Sequence, residues 1–414
     1  MMMNTPMFKV LSRWQVLIGL LTLSTCLQAV LVSPARADPQ QLPQLSPQAA
    51  IGKMIFEDES LSASGRMSCQ TCHDPTRAHS GPGPFGVMPG GPQLDRFGFR
   101  KSPSIRYLKF APEFSFQRND EGELVPVGGF FWDGRANSLA EQAMQPFLNS
   151  REMANESVAS LARRLRAARY ASQWATLLGP VIFGDDARLH QAAAEALASF
   201  QRESPQFAPF DSKFDLVMRG QLEFTPAEKR GLELFRSETK GNCAACHVVD
   251  AQPGVPGALF TDFTYDALGV PRNRAIPENS KPGFFDLGLC GPARSDFRAR
   301  KSLCGLFKVP SLRNVALTAP YFHNGAIRTL SEAVRFYVRR DTHPDEFYPK
   351  RAGKFDDLPV SLHRNVNVDE VPYGERRGGQ PRLDEREIAD VVSFLETLTD
   401  GFSQRREPAL APRR

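Results

Sequence analysis

The 414-residue chain is 41% hydrophobic, 23% charged and 10% aromatic, enough apolar side chain to bury one or two ordinary cores, which excludes intrinsic disorder. Its 31 Gly and 33 Pro follow no three-residue period; this excludes collagen and indicates compact helices joined by long turn-rich loops. The formal charge of +5 falls to +2 once Lys9, Arg13 and Arg36 are removed with the leader described next, so nothing in the charge balance argues for nucleic acid as a partner.

Lys9 and Arg13 precede an apolar run from Val16 to Val32 that ends at Ala35-Arg36-Ala37. This reads as a secretory signal peptide over residues 1–37, cut before Asp38. Thr22, Ser24, Thr25 and Gln28 interrupt the run and argue against an uncleaved anchor, and Leu23-Ser24-Thr25-Cys26 is a poor lipoprotein box. No other apolar run is long enough to span a bilayer. A periplasmic protein without stable membrane insertion is expected.

Beyond the leader the helical signals come in two rounds. Ser46-Pro47 is followed by Gly52 and Phe56, and Thr225-Pro226 by Gly231 and Phe235 at the same offsets. Ser or Thr as N-cap with Pro in the first turn starts a helix, and Glu228 completes a capping box with Thr225. Each round closes on a helix with a 3.6-residue apolar period: Asp186 to Glu203 through Leu189, Ala193, Leu197 and Phe200, and Asp384 to Leu398 through Ile388, Val391, Val392 and Leu395. A further helix is expected from Ser157 to Leu178. The stretches Gly81–Gly98 and Ala251–Gly283 are too polar and Pro-rich for strands. The expected fold is mainly α, with few strands, no parallel sheet and long Gly/Pro-rich loops. It divides into an N-terminal domain over 38–215, a C-terminal domain over 216–400 and a frayed tail over 401–414.

Six cysteines follow the leader: Cys69/Cys72, Cys243/Cys246 and Cys290/Cys304. The first two pairs stand in Cys69-Gln70-Thr71-Cys72-His73 and Cys243-Ala244-Ala245-Cys246-His247, each a C-x-x-C-H motif in which two thiols add to haem vinyl groups and the next residue ligates iron. Spacing also admits a zinc site built from both pairs, or a redox dithiol at either. Two copies in an exported chain favour two covalently bound c-type haems, one per domain. Cys290 and Cys304 lack an adjacent His and are expected to close a disulfide. Iron chemistry then turns on the sixth ligand. Every Met lies at or before position 218, so nothing after His247 can give the second haem a Met ligand. Its candidates are Tyr321, His323, Tyr337, His343, Tyr348, His363 and Tyr373, among which generic chemistry does not choose.

Longer motifs accompany these: Phe131-Trp132-Asp133-Gly134-Arg135, Glu141-Gln142-Ala143, Pro146 and Glu152-Met153 in the first half, and Phe307 to Val315, Ala319 to Gly325 and Thr329 to Val334 in the second. With the haem motifs they resemble the bacterial dihaem cytochrome c peroxidase and MauG family over nearly the whole mature chain. The resemblance implies two c-type cytochrome domains face to face. It makes His73 and His247 the iron ligands and Tyr337, a position held by Met in typical peroxidases and Tyr in MauG, the sixth ligand of the second haem. A phenolate there lowers the haem potential. It makes the His73 haem the peroxide site, with Glu152 as acid/base, Gln142 and Pro146 lining the cavity, and Trp132 as the relay between haems.

The resemblance also marks departures. Typical peroxidases carry a distal His on a loop before the Trp motif; the corresponding Arg100 to Tyr107 has none, so an open first haem is expected without reductive activation. Calcium between the domains is implied at the backbone carbonyls of Thr318 and Pro320, weakened because the family's Asn ligand falls at Tyr107. Gly241 stands where MauG has a surface Trp, which puts its quinone-forming role in doubt. The expected partners are hydrogen peroxide and either a small donor, cytochrome c or cupredoxin, or a protein substrate. The expected assembly is a monomer or homodimer. The expected function is peroxide reduction at the first haem. The alternatives are MauG-like oxidation of a large substrate through stored high-valent haem, or an electron carrier or redox sensor without turnover.

Overall fold

The computed structural model describes residues 44–83, 86–119 and 121–402; the signal-peptide reading and most of the tail lie outside them. Helix formation follows the caps. Ser46 accepts from the Ala49 amide and starts α1 (Pro47–Glu57), while Thr225 and Glu228 form the expected capping box of α8 (Pro226–Arg236). Between them lie α2 (Cys69–Cys72), α3 (Leu139–Leu148), α4 (Val158–Ala167), α5 (Ala171–Leu178), α6 (Asp186–Glu203) and α7 (Lys213–Met218). Beyond them lie α9 (Leu330–Arg339) and α10 (Glu385–Glu396). The expected helix over Ser157–Leu178 is instead two, α4 and α5. The chain leaves the helix at Ala168, whose ψ of 143° turns Tyr170 into the core, where it is fully buried with its hydroxyl on Asp58.

Strand is confined to three antiparallel pairs: β1 (Pro89–Gly90) with β2 (Arg96–Phe97), β3 (Ser115–Arg118) with β4 (Leu124–Val127), and β5 (Tyr265–Asp266) with β6 (Phe307–Lys308). The first pair and β5 fall in stretches expected to be strand-free. Two-residue ladders need no apolar alternation, so nothing in the pattern announces them. The mainly α reading holds.

The repeated glycines explain how each helical pair packs. A Cβ on Gly52 would lie 1.9 Å from the Ala196 carbonyl oxygen on α6, and one on Gly231 would lie 2.0 Å from the Asp390 oxygen on α10. Only glycine lets α1 cross α6, and α8 cross α10, at backbone contact. Around these crossings sit separate apolar clusters. One holds Ile55, Phe56, Phe147, Trp174, Leu189 and Phe200. The other holds Phe214, Phe235, Phe260, Ile388, Val391 and Phe394. Full burial of each such side chain contributes about 1.5–3 kcal/mol. α7 runs across the expected 215/216 boundary, with Phe214 in the second cluster. The expected Cys290–Cys304 disulfide is formed, with Cα atoms 5.0 Å apart.

Candidate active site

The C-x-x-C-H motifs follow the first helix of each pair. Cys69, Cys72, Cys243 and Cys246 form no disulfides. Burial pushes the thiols of Cys69, Cys72 and Cys243 up to about 12 and Cys246 upward likewise. The histidines are held alike. His73 Nδ1 lies 3.1 Å from the His79 carbonyl and His247 Nδ1 lies 2.9 Å from that of Phe260. Both residues whose carbonyls accept these bonds have a left-handed backbone, with φ of 55°. Each ring also has a second backbone carbonyl within hydrogen-bond reach, that of Pro103 for His73 and of Pro310 for His247, and burial holds both rings neutral, His247 down to about 4.

All seven histidines of the chain are described. His79 serves the proximal side of His73 and packs its ring 4.5 Å from Phe207, and His190 Nε2 meets the Met144 carbonyl. His343 pairs with Thr342 and His363 with the Leu358 carbonyl. His323 stacks on Phe307 at 3.6 Å with Nε2 3.5 Å from Asp357. In the first half His190 is thus hydrogen-bonded, and the His79 ring, its Nε2 buried without a hydrogen bond, is packed against Phe56 and Phe207 on the side of its own carbonyl's bond to His73.

A second repeat, not recognised in the sequence reading, relates the segments after the motifs. Lys101-Ser102-Pro103-Ser104-Ile105-Arg106 matches Lys308-Val309-Pro310-Ser311-Leu312-Arg313, and Phe130 to Pro146 matches Tyr321 to Tyr337. The backbone obeys it. Phe131 and Phe322 both have positive φ, as do Gly134 and Gly325; the bridge Phe130↔Ala136 mirrors Tyr321↔Ile327; Ser138 caps α3 as Thr329 caps α9. In this register Trp132 corresponds to His323 and Pro146 to Tyr337.

Tyr337 lines a large cavity together with Cys243, Cys246, His247, Trp132 and Tyr373. Of the seven candidates for the sixth ligand, Tyr321 and Tyr348 donate to the Val315 and Gly269 carbonyls, His343 and His363 are hydrogen-bonded as above, and His323, its Nε2 buried without a hydrogen bond, is held by its stack on Phe307. The hydroxyls of Tyr337 and Tyr373, rings stacked 6.1 Å apart, make no hydrogen bond among the described residues. Burial raises both phenols well above their ordinary range.

Around the first motif, α3 carries Gln142 and Pro146 one turn apart, and Pro146 offers no N–H to the Gln142 carbonyl. The chain then folds back, the Met153 amide meeting the Pro146 carbonyl. This brings Glu152 beside Pro146 and close enough to Cys69 and Cys72 to raise both thiols. Burial raises the Glu152 carboxyl, opposed by Arg135 and by the Asn149 amide 2.8 Å away. Trp132 donates from Nε1 to the Lys101 carbonyl at 2.9 Å. Its turn is fixed by buried Asp133, which lies 2.7 Å from Arg100 and 2.9 Å from Arg135; Arg100 also pairs with Asp286 at 2.6 Å. The structure thus gathers Glu152 at one motif and Trp132 and Tyr337 at the other.

Calcium fits poorly. The Thr318 carbonyl accepts from the Lys101 ammonium, the Tyr107 hydroxyl is bound to Asp400 at 2.7 Å, and no group of three or more His, Cys, Asp or Glu gathers at a metal position among the described residues.

Two anchored C-x-x-C-H motifs on paired helices define a class, the two-haem c-type cytochromes. The chain belongs to the family of di-haem cytochrome c peroxidases, whose model matches residues 46–223. It is 38% identical over 390 residues to methylamine utilization protein MauG of Paracoccus denitrificans, covering 92% of this chain and 95% of that one. It is 28% identical over 373 residues to cytochrome c551 peroxidase of Nitrosomonas europaea, covering 89% and 85%. The solved diheme peroxidase BthA of Burkholderia thailandensis superposes with a TM-score of 0.78 at 38% identity, covering 89% and 90%. The protein is accordingly an oxidoreductase of the peroxidase type. No helix among the described residues is long and apolar enough to cross a membrane.

Proposed function

We propose that this protein is a periplasmic two-haem peroxidase that reduces hydrogen peroxide at a haem held by Cys69, Cys72 and His73, with electrons relayed through Trp132 from a haem held by Cys243, Cys246, His247 and Tyr337. Two haem-bearing halves follow, with the boundary ahead of α7 and not at 215/216, since Phe214 packs in the second apolar cluster. The observation that carries this reading is the asymmetry inside the repeat: Pro146, which has no donor atom, matches Tyr337, which has one. The first haem keeps an open face and the second is closed.

Bound haem supplies the iron that takes peroxide and stores its oxidising equivalents. The chain's own residues supply the proton work. Glu152, its carboxyl raised by burial, takes a proton from bound peroxide and returns it to the leaving oxygen. Pro146 and the fold-back over 149–153 keep that face narrow, with Gln142 one turn away. Asn149 fixes the carboxylate, and Arg135 keeps it from being permanently protonated. Trp132 is immobilised by Lys101 and by the Asp133 pairs, so that an electron crosses without reorganisation of the ring.

A second reading, MauG-like oxidation of a protein or other large substrate, is favoured by tyrosine at position 337 and by the missing distal His. Electron transfer from a reduced small cytochrome c or cupredoxin under peroxide separates the two. Rapid turnover of the donor supports peroxide reduction. Slow turnover, with a long-lived oxidised spectrum after one equivalent of peroxide, supports the second reading. An unchanged spectrum after peroxide rejects both and leaves an electron carrier or sensor.

A further inference from the structure

The second repeat places two buried lysines in matching positions, and they grip opposite halves reciprocally. The Lys101 amide donates to the His323 carbonyl at 2.7 Å, and the Lys308 amide donates to that of Trp132 at 2.9 Å. The Lys101 ammonium donates to the Thr318 carbonyl and lies 5.9 Å from the Tyr321 ring centre. The Lys308 ammonium donates to the Gly129 carbonyl and lies 5.8 Å from the Phe130 ring centre. In the repeat Phe130 corresponds to Tyr321 and Trp132 to His323, so two of each lysine's three contacts with the other half are equivalent, while the carbonyls that take the ammonium groups, Thr318 and Gly129, are not. Both are nearly excluded from solvent, at 6% and 8% exposure. The structure records no ion pair for either.

Burial lowers the Lys101 ammonium to about 7, with Arg77 adding to the effect, and that of Lys308 to about 8 against the attraction of Asp133; burying either charge is costly, and two placed symmetrically beside Trp132 call for a reason. We infer that Lys101 and Lys308 are positioning residues that hold the two halves in register across Trp132 and His323, the Lys101 ammonium standing at Thr318 where a divalent cation would otherwise join the halves. A calcium ion needs six to eight oxygens at about 2.3–2.6 Å. Bound to the Thr318 oxygen, it would sit against the ammonium already there, with two like charges in a low-dielectric site. The protein therefore carries its cation covalently, on its own chain.

This inference rests on the two-haem reading for its effect on electron transfer, so the test reads metal content and haem content separately. Holoprotein purified without chelator is assayed for calcium and for haem per chain. It is then treated with EDTA while electron redistribution between the haems is followed after flash reduction. Substoichiometric calcium and an EDTA-insensitive rate are expected. Lys101→Met and Lys308→Met are each expected to slow redistribution, by about a hundredfold if the ring shifts by an ångström. Lys101→Asn, with an amide oxygen in place of the ammonium, is expected to show the same loss and to regain the rate with added calcium. Tightly bound stoichiometric calcium in the wild-type protein overturns the inference, whether or not the variants fold. So do methionine variants with the wild-type rate, or a Lys101→Asn loss that calcium does not restore. Fewer than two haems per chain would instead remove the two-haem reading and leave the metal result standing.

Discussion

Glu152 illustrates how little of a residue's chemistry is visible in its name. An acid after a helix is ordinarily a solvated side chain, and its burial here follows from the fold-back that joins the Met153 amide to Pro146. The carboxyl is raised by that burial and must be ionised to accept the peroxide proton. The rate constant kcat/KM for peroxide should therefore rise with pH through a value above the ordinary carboxylate range. Glu152→Gln should lower it about 10²–10⁴-fold and abolish that limb; a variant retaining the limb would assign it to another group. The same site-by-site reasoning separates the stacked tyrosines. Ferric low-spin resonance from the second haem should vanish in Tyr337→Phe and persist in Tyr373→Phe, and the opposite pattern would make Tyr373 the ligand.

Helices carry the arrangement, and one substitution on each tests how. Because the Cβ of Gly231→Ala would meet the Asp390 carbonyl, α8 would be pushed off α10 at a cost of about 1–3 kcal/mol. Gly184→Ala, with nothing within 4 Å of its Cβ, should leave the melting temperature unchanged, and equal melting of the two variants would refute the close-crossing account. On α3, Pro146→Tyr puts a phenol at the position matching Tyr337. Conversion of the first haem to low spin with loss of peroxide binding is expected, and a high-spin signal that persists would deny the equivalence of α3 and α9. The caps of α1 and α8 and the spans of α6 and α10 were legible because capping and a 3.6-residue period are local properties. The break between α4 and α5 was not, because Tyr170 leaves the helix to reach Asp58, a partner 112 residues away.

At the scale of the molecule, ion pairs fasten segments distant in sequence. Asp215 meets Arg313 at 2.6 Å with both buried, and Arg313 with Ser212 holds the Asp215 carboxyl below its ordinary range; Asp133 is held down by Arg100 and Arg135. For a carboxyl depressed in the folded state, the stability is present above the unfolded value and lost as pH falls through the folded one. Asp215→Ala should cost about 3–5 kcal/mol by stranding Arg313, and acid melts of this variant should lose less stability between neutral and low pH than the wild type. An unaltered acid profile would show that the pair contributes nothing to that dependence.

The sequence by itself determined the chemistry. Two C-x-x-C-H motifs, a family-wide set of motifs, the absence of Met after position 218 and the pairing of Cys290 with Cys304 all depend on residue type and spacing, which the chain carries openly. The K-x-P-S repeat was equally open to reading, but its meaning was not. Only the tertiary structure decided that His79 serves as a carbonyl behind His73 and not as a distal ligand, that Tyr373 stacks on Tyr337, and that Lys101 and Lys308 reach across to opposite halves. Those outcomes rest on which backbone carbonyls and rings meet across more than a hundred residues of chain, and no local periodicity encodes such meetings.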